Sequence, residues 1–240
     1  MASTSETGIA KTIANLEQLI SNCNAIGPFY KPSKSNLSIA ALKNLLNNAQ
    51  GSQQDLITTK NNLAIAINQR QTAFEPIRKL STRIVNALDA LSVNKKIVDD
   101  AKSINTKIQG KRAKQPTAPS ADSKTKTVSV SQLSFDNQIA FFSQLIDLLL
   151  QEPNYLVNEP DLQLVNLQAK LEELKTTNSA VINQVTAYNA ALMNRNNFIN
   201  AQDTGVVDVS QDVKKYVKSL LGTDNHQYKQ ITKIGFRKVR

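Results

Sequence analysis

The 240-residue chain is basic, with a net charge of +10, and its 40% hydrophobic content includes only 5% aromatic residues and no tryptophan. Seven glycines and seven prolines supply little turn chemistry for a many-stranded sheet, so an aliphatic helical core is favoured. Cys23 and His226 are single residues of their types, which excludes an intramolecular disulfide, a cysteine-based zinc site and a histidine cluster.

The first half of the chain contains four segments with apolar residues at helical spacing. They cover residues 9–26, 36–74, 77–91 and 93–108. Gly27 and Pro28 end the first segment, and Pro76 forces a kink or a turn after the second, which is long. Cys23 lies among small and apolar residues, so we expect an inert thiol there rather than a reactive one.

The chain changes character between Gly110 and Gln132. This stretch is rich in Ser, Thr, Lys and Ala, carries Pro116 and Pro119, and has almost no large apolar side chain before Val128. Such a composition is typical of a solvated linker.

The second half has the same order of elements as the first. Its apolar periodicity predicts helices over residues 135–150, 161–200 and 206–221, followed by a basic tail. Gly222 stands directly after the last helix, where a C-terminal glycine cap is expected.

The two long helices carry apolar seams with alternating spacings of three and four residues. The second seam consists of Leu164, Leu167, Leu171, Leu174, Asn178, Val181, Val185, Tyr188, Leu192, Arg195 and Ile199. Each of these positions has a counterpart 125 residues earlier, namely Ile39, Leu42, Leu46, Ala49, Gln53, Leu56, Lys60, Leu63, Ile67, Arg70 and Phe74. This common register predicts a tandem duplication. The alternative is that two unrelated amphipathic helices share a spacing.

These patterns predict an all-α fold, an elongated antiparallel helical bundle made of two tandem pseudo-repeats with two long coiled-coil-like helices. The predicted boundaries are 1–109 for the first helical repeat, 110–133 for a basic linker rich in Pro, Ser, Thr and Lys, 134–222 for the second helical repeat, and 223–240 for a basic C-terminal tail.

Most of the positive charge lies in the linker and the tail, and the helical body is nearly neutral. The candidate polyanion contacts are Lys111, Arg112, Lys114, Lys124, Lys126, Lys229, Lys233, Arg237, Lys238 and Arg240. Clustered cations of this kind displace counterions from a phosphate backbone. Two alternatives stay open: the segments are solvated tails, or the similar Thr-Lys-Ile triplets before Gly110 and Gly235 dock onto the bundle.

Polar residues interrupt both seams at matching places and are candidate buried register or anion positions. They are Arg70, Arg195, Gln53 and Asn178. The arginines either hold an anion in a symmetric interior site, pair with buried acids, or extend to water near a helix end. The two amides are expected to fix the helix register, as single polar seam residues do in coiled coils.

No arrangement of residues predicts catalysis. The chain has no glycine-rich phosphate loop. Its adjacent carboxylates, Asp99 with Asp100 and Glu172 with Glu173, point in different directions on a helix, so neither pair shares a face. We therefore expect a protein that is not an enzyme and that has no cofactor and no metal.

The second half resembles a family of uncharacterised all-helical bacterial proteins of the Bacteroidetes type. The residues that carry this resemblance are Asp161-Leu162-Gln163-Leu164, Arg195-Asn196-Asn197-Phe198, Thr204-Gly205-Val206-Val207-Asp208 and Gln227-Tyr228-Lys229-Gln230. The family has no established activity, so the resemblance implies a helical fold with an internal duplication and no function.

The leading functional hypothesis is a non-enzymatic helical scaffold or protein-interaction module that binds a protein partner or itself. The alternative is binding of nucleic acid or another polyanion through the linker and tail. A third hypothesis, a membrane-active helical protein that opens its bundle on a bilayer, is suggested by the elongated helices and the helix over Phe141–Leu150. The longest apolar run, Leu145–Leu150, contains Asp147 and is too short to span a bilayer. Residues 1–20 have no uninterrupted apolar stretch, so we expect no secretory signal and a cytoplasmic protein. No small-molecule substrate is predicted.

Overall fold

The computed structural model describes residues 8–91, 93–110 and 134–238. Within these ranges the chain is helical and has no strand, so the all-α prediction is confirmed. The α-helices are α1 (Ile9–Ala25), α2 (Ile39–Phe74), α3 (Ile77–Ala90), α4 (Lys95–Ile108), α5 (Phe135–Leu150), α6 (Leu164–Asn200), α7 (Val206–Leu221) and α8 (His226–Thr232). The predicted linker lies outside the described residues except for Gly110.

Local sequence signals account for several helix ends. Ser134 and Asn225 begin α5 and α8, because the side-chain oxygen of each accepts a hydrogen bond from a backbone N–H of the first turn. Gly222 ends α7 with a φ of 76°, a left-handed conformation in which a residue without a Cβ is favoured. Only Glu75 and Pro76 separate α2, which ends at Phe74, from α3, which begins at Ile77, and Pro76 itself keeps a helical backbone conformation.

The chain forms two compact units, and each unit combines parts of both predicted repeats. The terminal unit contains Met1–Leu63 and Gln184–Arg240, and the central unit contains Ala64–Asn183. The long helices α2 and α6 contribute to both units.

The core of the terminal unit is built by α1, the first turns of α2, the end of α6, α7 and α8. Its fully buried side chains include Leu16, Leu19, Leu42, Ile199 and Val213. Ala49 on α2 and Ile199 on α6 belong to this one core, so the two seams meet here.

The core of the central unit is built by the last turns of α2, by α3, α4 and α5, and by the first turns of α6. Phe74 on the first seam and Leu174 on the second both belong to it. The end of α2 thus packs beside the beginning of α6, and the two long helices run antiparallel in this unit.

The entry to each long helix has the same construction in both units. A buried tyrosine precedes a short 3-10 helix and donates its hydroxyl hydrogen bond to a backbone carbonyl seven residues later. In the terminal unit Tyr30 bonds Leu37 over 2.8 Å, and in the central unit Tyr155 bonds Leu162 over 3.0 Å. Both pairs are 125 residues apart, as are the first residues of α2 and α6.

Candidate functional site

A polar cluster interrupts the apolar core where α2 passes α6 in the central unit. Arg70 Nη1 donates a hydrogen bond of 3.0 Å to Asn178 Oδ1, and Asn178 Nδ2 donates one of 2.8 Å to Asp136 Oδ1. The Arg70 guanidinium carbon lies 4.0 Å from the centre of the Phe135 ring. We call these four residues the central clamp.

Arg70 is linked to an acidic residue in the central clamp. Its guanidinium is half-buried, and it is linked to the Asp136 carboxylate through the buried amide of Asn178. A cation over an aromatic face adds roughly 0.5–2 kcal/mol, depending on its exposure to water. Arg70 therefore connects three helices, and its buried Nε has no partner in the described part of the chain.

The matching polar seam residues of the terminal unit are not joined in this way. Arg195 Nε and Nη2 donate to the side-chain oxygen of the adjacent Asn196, at 3.3 and 2.8 Å. Gln53 is half-buried, and its Oε1 is shielded from water without a hydrogen-bond partner among the described residues. An unpaired buried acceptor costs about 1–3 kcal/mol, so we expect Gln53 to destabilise the terminal unit. At the matching place in the central unit, Asn178 is hydrogen-bonded to both Arg70 and Asp136.

The last described residues of the chain dock onto the terminal unit. Ile231, Ile234 and Phe236 are buried in its core. Lys214 Nζ on α7 donates hydrogen bonds to the carbonyls of Thr232, at 3.3 Å, and Ile234. The docking alternative therefore describes residues 226–236 correctly, while their polar sequence had suggested a solvated tail.

Two side chains that the sequence did not single out hold this segment. Burial lowers the pKa of Lys214, whose ammonium also lies 5.3 Å from the centre of the Phe236 ring. Asn15 on α1 donates a hydrogen bond of 2.7 Å from Nδ2 to the carbonyl of Gly235. The Lys214–Ile234 hydrogen bond joins residues 20 positions apart, and the Asn15–Gly235 bond joins residues 220 positions apart. Local sequence patterns therefore give no signal for either bond.

The candidate polyanion contacts are only partly within the described chain. Lys229, Lys233 and Arg237 are exposed on the docked segment. Lys238 is 3.1 Å from Asp208 Oδ1, and this hydrogen-bonded lysine lowers the pKa of the carboxyl group. The other candidates lie outside the described residues, namely Lys111, Arg112, Lys114, Lys124, Lys126 and Arg240.

The two units differ strongly in charge. The described residues of the terminal unit contain 13 Lys and Arg against 6 Asp and Glu, a net charge of +7. Those of the central unit contain 10 Lys and Arg against 11 Asp and Glu, a net charge of −1. Four of the 13 cations of the terminal unit, Lys229, Lys233, Arg237 and Lys238, belong to the predicted basic tail, so much of the difference comes from that segment.

A cavity of about 330 Å³ opens on the central unit between α3 and the beginning of α6. Its lining residues are Pro76, Lys79, Leu80, Arg83, Asp161, Asn166 and Lys170. Arg83 pairs with Asp161 through both of its terminal nitrogens, and this contact lowers the pKa of the Asp161 carboxyl group. The cavity thus combines an apolar wall with three cations and one carboxylate.

The remaining single-residue candidate, Cys23, lies in the core of the terminal unit without exposure to water. Burial raises the pKa of its thiol to about 11. The thiolate that would react as a nucleophile is therefore disfavoured at neutral pH.

No group of His, Cys, Asp and Glu in the described ranges is placed to hold a metal ion. None of the described helices is long and apolar enough to cross a membrane. Comparison with protein-family models, with curated proteins and with solved structures finds no match to this chain.

Proposed function

We propose that the chain is a non-enzymatic helical interaction protein, built from two tandem pseudo-repeats, that binds a protein partner through apolar side chains held at its surface. The observation that carries the proposal is the position of Phe29 and Leu156. Their side chains are 75% and 79% exposed, although each is next to one of the buried tyrosines, Tyr30 and Tyr155.

The hydrogen bonds of these tyrosines fix the turns that present the exposed side chains. Burying a Phe or Leu side chain against a partner contributes roughly 1.5–3 kcal/mol. A fixed turn loses little further conformational freedom on binding, so more of this free energy is retained as affinity. Single exposed apolar residues are common on proteins, and the argument therefore rests on the rigid turn that holds each one.

Site-specific photo-crosslinking in the native cell tests this proposal. A photoreactive residue would be placed at Phe29 and Leu156, and, as controls, at the exposed polar positions Asn47 and Gln168. Nuclease treatment before isolation removes partners bridged by nucleic acid. We expect adducts of one defined mass from the two apolar positions and none from the controls. Equal labelling at all four positions, or no adduct at Phe29 and Leu156, would contradict the proposal.

Binding of a polyanion is a second candidate, favoured by the net charge of +7 on the described part of the terminal unit. Lys229, Lys233 and Arg237 extend from a segment whose apolar side chains are anchored in the core. A docked segment holds its cations at fixed distances, whereas a free tail must be ordered on binding.

Fluorescence anisotropy with a labelled 20-nucleotide single-stranded DNA tests this candidate. We expect binding that weakens steeply between 50 and 200 mM salt, because released counterions drive it. Changing Lys229, Lys233 and Arg237 together to Glu should weaken binding by about tenfold or more. The control changes Arg78, Lys95 and Lys96 of the central unit to Glu, which alters the net charge equally. Binding that does not depend on salt, or equal losses in both variants, would refute it.

A further inference from the structure

We propose that the cavity between α3 and α6 binds an acidic side chain from an extended segment of a protein partner. This inference rests on the proposed interaction function and assigns one of its sites. It follows from a comparison with α7, the matching helix of the terminal unit, where the chain's own C-terminal segment supplies the complementary charge.

Helices α3 and α7 correspond through their buried residues at a constant separation of 129 positions. The pairs are Ile77 with Val206, Ser81 with Ser210, Ile84 with Val213, and Leu88 with Val217, and all eight residues are buried. The same separation matches Lys79 with Asp208 and Arg83 with Asp212. The two helices thus carry opposite charges at two matching positions on their surfaces.

In the terminal unit both carboxylates are paired with lysines of the same unit. Lys34 Nζ lies 2.8 Å from Asp212 Oδ2, and Lys238 Nζ lies 3.1 Å from Asp208 Oδ1. Lys238 belongs to the extended segment that follows α8 and is anchored by the buried Phe236. An extended chain therefore brings a complementary charge to Asp208.

In the central unit only one of the two matching cations is paired in this way. Arg83 is bonded to Asp161, which comes from the turn before α6, as Lys34 comes from the turn before α2. Lys79 has no hydrogen-bond or ion-pair partner among the described residues. Within the described ranges, the charge that Lys238 supplies to Asp208 has no counterpart at Lys79.

The group that Lys79 lacks is an anion. The residues that follow α4 in the sequence are mostly of the same sign as Lys79, since residues 111–133 contain five Lys and Arg against one acid, Asp122. Lys170, at the other side of the cavity, is bonded to Glu173 over 2.8 Å, so its charge is already paired. A carboxylate from another chain would complement Lys79.

The size and the wall of the cavity select a peptide over a small inorganic anion. Pro76 and Leu80 provide apolar surface, as do the aliphatic stems of the two lysines. A volume of about 330 Å³ holds an acidic side chain together with a neighbouring apolar one. We therefore expect the partner segment to carry Asp or Glu directly beside Leu, Ile, Val or Met.

The test is a nuclear magnetic resonance titration of the ¹⁵N-labelled full chain with a blocked pentapeptide, acetyl-Ala-Leu-Asp-Leu-Ala-amide. We expect saturable shifts of backbone amides in residues 77–83 and 161–170, with a dissociation constant on the order of 1 mM. The same peptide with Asn in place of Asp should not shift them. Lys79→Glu should weaken binding about tenfold, since attraction becomes repulsion. Lys95→Glu, on α4 and outside the cavity lining, makes the same charge change and should bind as the unchanged chain does.

The absence of shifts at millimolar peptide, equal shifts with the Asn peptide, or unchanged binding by Lys79→Glu would overturn this proposal. Those results would leave the interaction function standing if crosslinks form at Phe29 and Leu156. Peptide-induced shifts at the cavity, together with no crosslinks at Phe29 and Leu156, would support the cavity proposal and refute the proposed contact through apolar side chains. The two proposals can therefore fail separately.

Discussion

In the terminal unit three lysines, Lys34, Lys215 and Lys238, pair with Asp208 and Asp212, whereas in the central unit Arg83 pairs with Asp161 and Lys79 has no partner among the described residues. The buried serines at matching places differ as well. Ser81 donates a hydrogen bond of 2.9 Å to Asn105, while the Ser210 hydroxyl has no partner in the described part of the chain.

The apolar positions of the two units nevertheless agree closely. Burial of aliphatic side chains is nondirectional and determines how the helices pack. The same packing is therefore compatible with different polar residues around it. Hydrogen bonds and ion pairs need particular partners at particular distances, and these are what differ between the units. The two units therefore share the positions of their buried apolar residues and differ in their hydrogen bonds and ion pairs. Substitutions at matching positions can test each of these two parts.

Matched truncations in the two cores should have the largest effect. Leu19 in the terminal unit and Leu145 in the central unit have no exposure to water. Each change to Ala should lower the free energy of unfolding by about 3–4 kcal/mol through lost transfer free energy and a new cavity. Urea unfolding measures the loss, and hydrogen exchange locates it. We expect faster exchange in α1 and α7 for Leu19→Ala and in α3 to α5 for Leu145→Ala. Uniformly faster exchange in both units would show that they do not open separately.

A pair of glycine substitutions should give opposite signs. A Cβ on Gly205, just before α7, would lie 2.6 Å from the backbone nitrogen of Ala201. Gly205→Ala should therefore destabilise the terminal unit by about 2–3 kcal/mol. Gly51, inside α2, has open space around it, and Gly51→Ala should stabilise the chain by about 0.5–1 kcal/mol. Thermal and urea unfolding measure both changes. An unchanged free energy of unfolding in Gly205→Ala would mean that the turn before α7 can shift to accommodate the added Cβ.

The seam amides should also respond differently. Asn178→Leu removes the link between Arg70 and the exposed Asp136 and leaves the half-buried Arg70 guanidinium without its hydrogen-bond acceptor, at a cost of about 2 kcal/mol. Gln53→Leu removes an acceptor that has no partner, so we expect no loss or a gain of up to about 1 kcal/mol. Urea unfolding of the two variants decides this. A loss of equal size at both positions would indicate that Gln53 and Arg195 are bonded in solution.

The sequence predicted the helices well because their signals are local. Apolar periodicity placed α5 at its observed bounds, and Pro76 and Gly222 marked true ends. The common register of the two seams also identified the polar positions that interrupt them. The periodicity did not predict α8, because its seven residues bury only Ile231 within the helix.

The polar partners could not be predicted from the sequence. Asp136 has the pattern of an acidic residue in the first turn of α5, and nothing local shows that Asn178 reaches it. Lys79 and Arg83 have the pattern of a solvated helix face. Their role in a cavity depends on the turn before α6, which lies about 80 residues away in the sequence. Contacts of that separation are set by packing and have no periodic signature.

Alkaline pH should weaken the terminal unit before the central one. Burial raises the pKa of Cys23 from 9.0 to about 11, so the native thiol keeps a proton that the unfolded chain releases. Its contribution to stability is complete below pH 9 and is lost as pH rises from 9 to 11. The loss at pH 10 is about 1.4 kcal/mol. The buried residues of α1 and α5 match at a separation of 126 positions, as Leu19 does with Leu145 and Cys23 with Leu149. The central unit thus has a leucine in place of the cysteine, and burial raises the pKa of Tyr155 to about 12 from 10.0, so losses there begin one unit higher.

Urea unfolding and hydrogen exchange at pH 8 and pH 10 measure this difference. Cys23→Ala serves as the control, because it removes the titrating group and leaves the tyrosines in place. We expect the variant to be less stable than the unchanged chain at pH 8, through lost packing, but to lose less stability between the two pH values. Exchange should accelerate first in α1 and α7, which pack around the thiol. If Cys23→Ala loses as much stability as the unchanged chain by pH 10, then another group carries the alkaline sensitivity, and the difference between the units does not come from this cysteine.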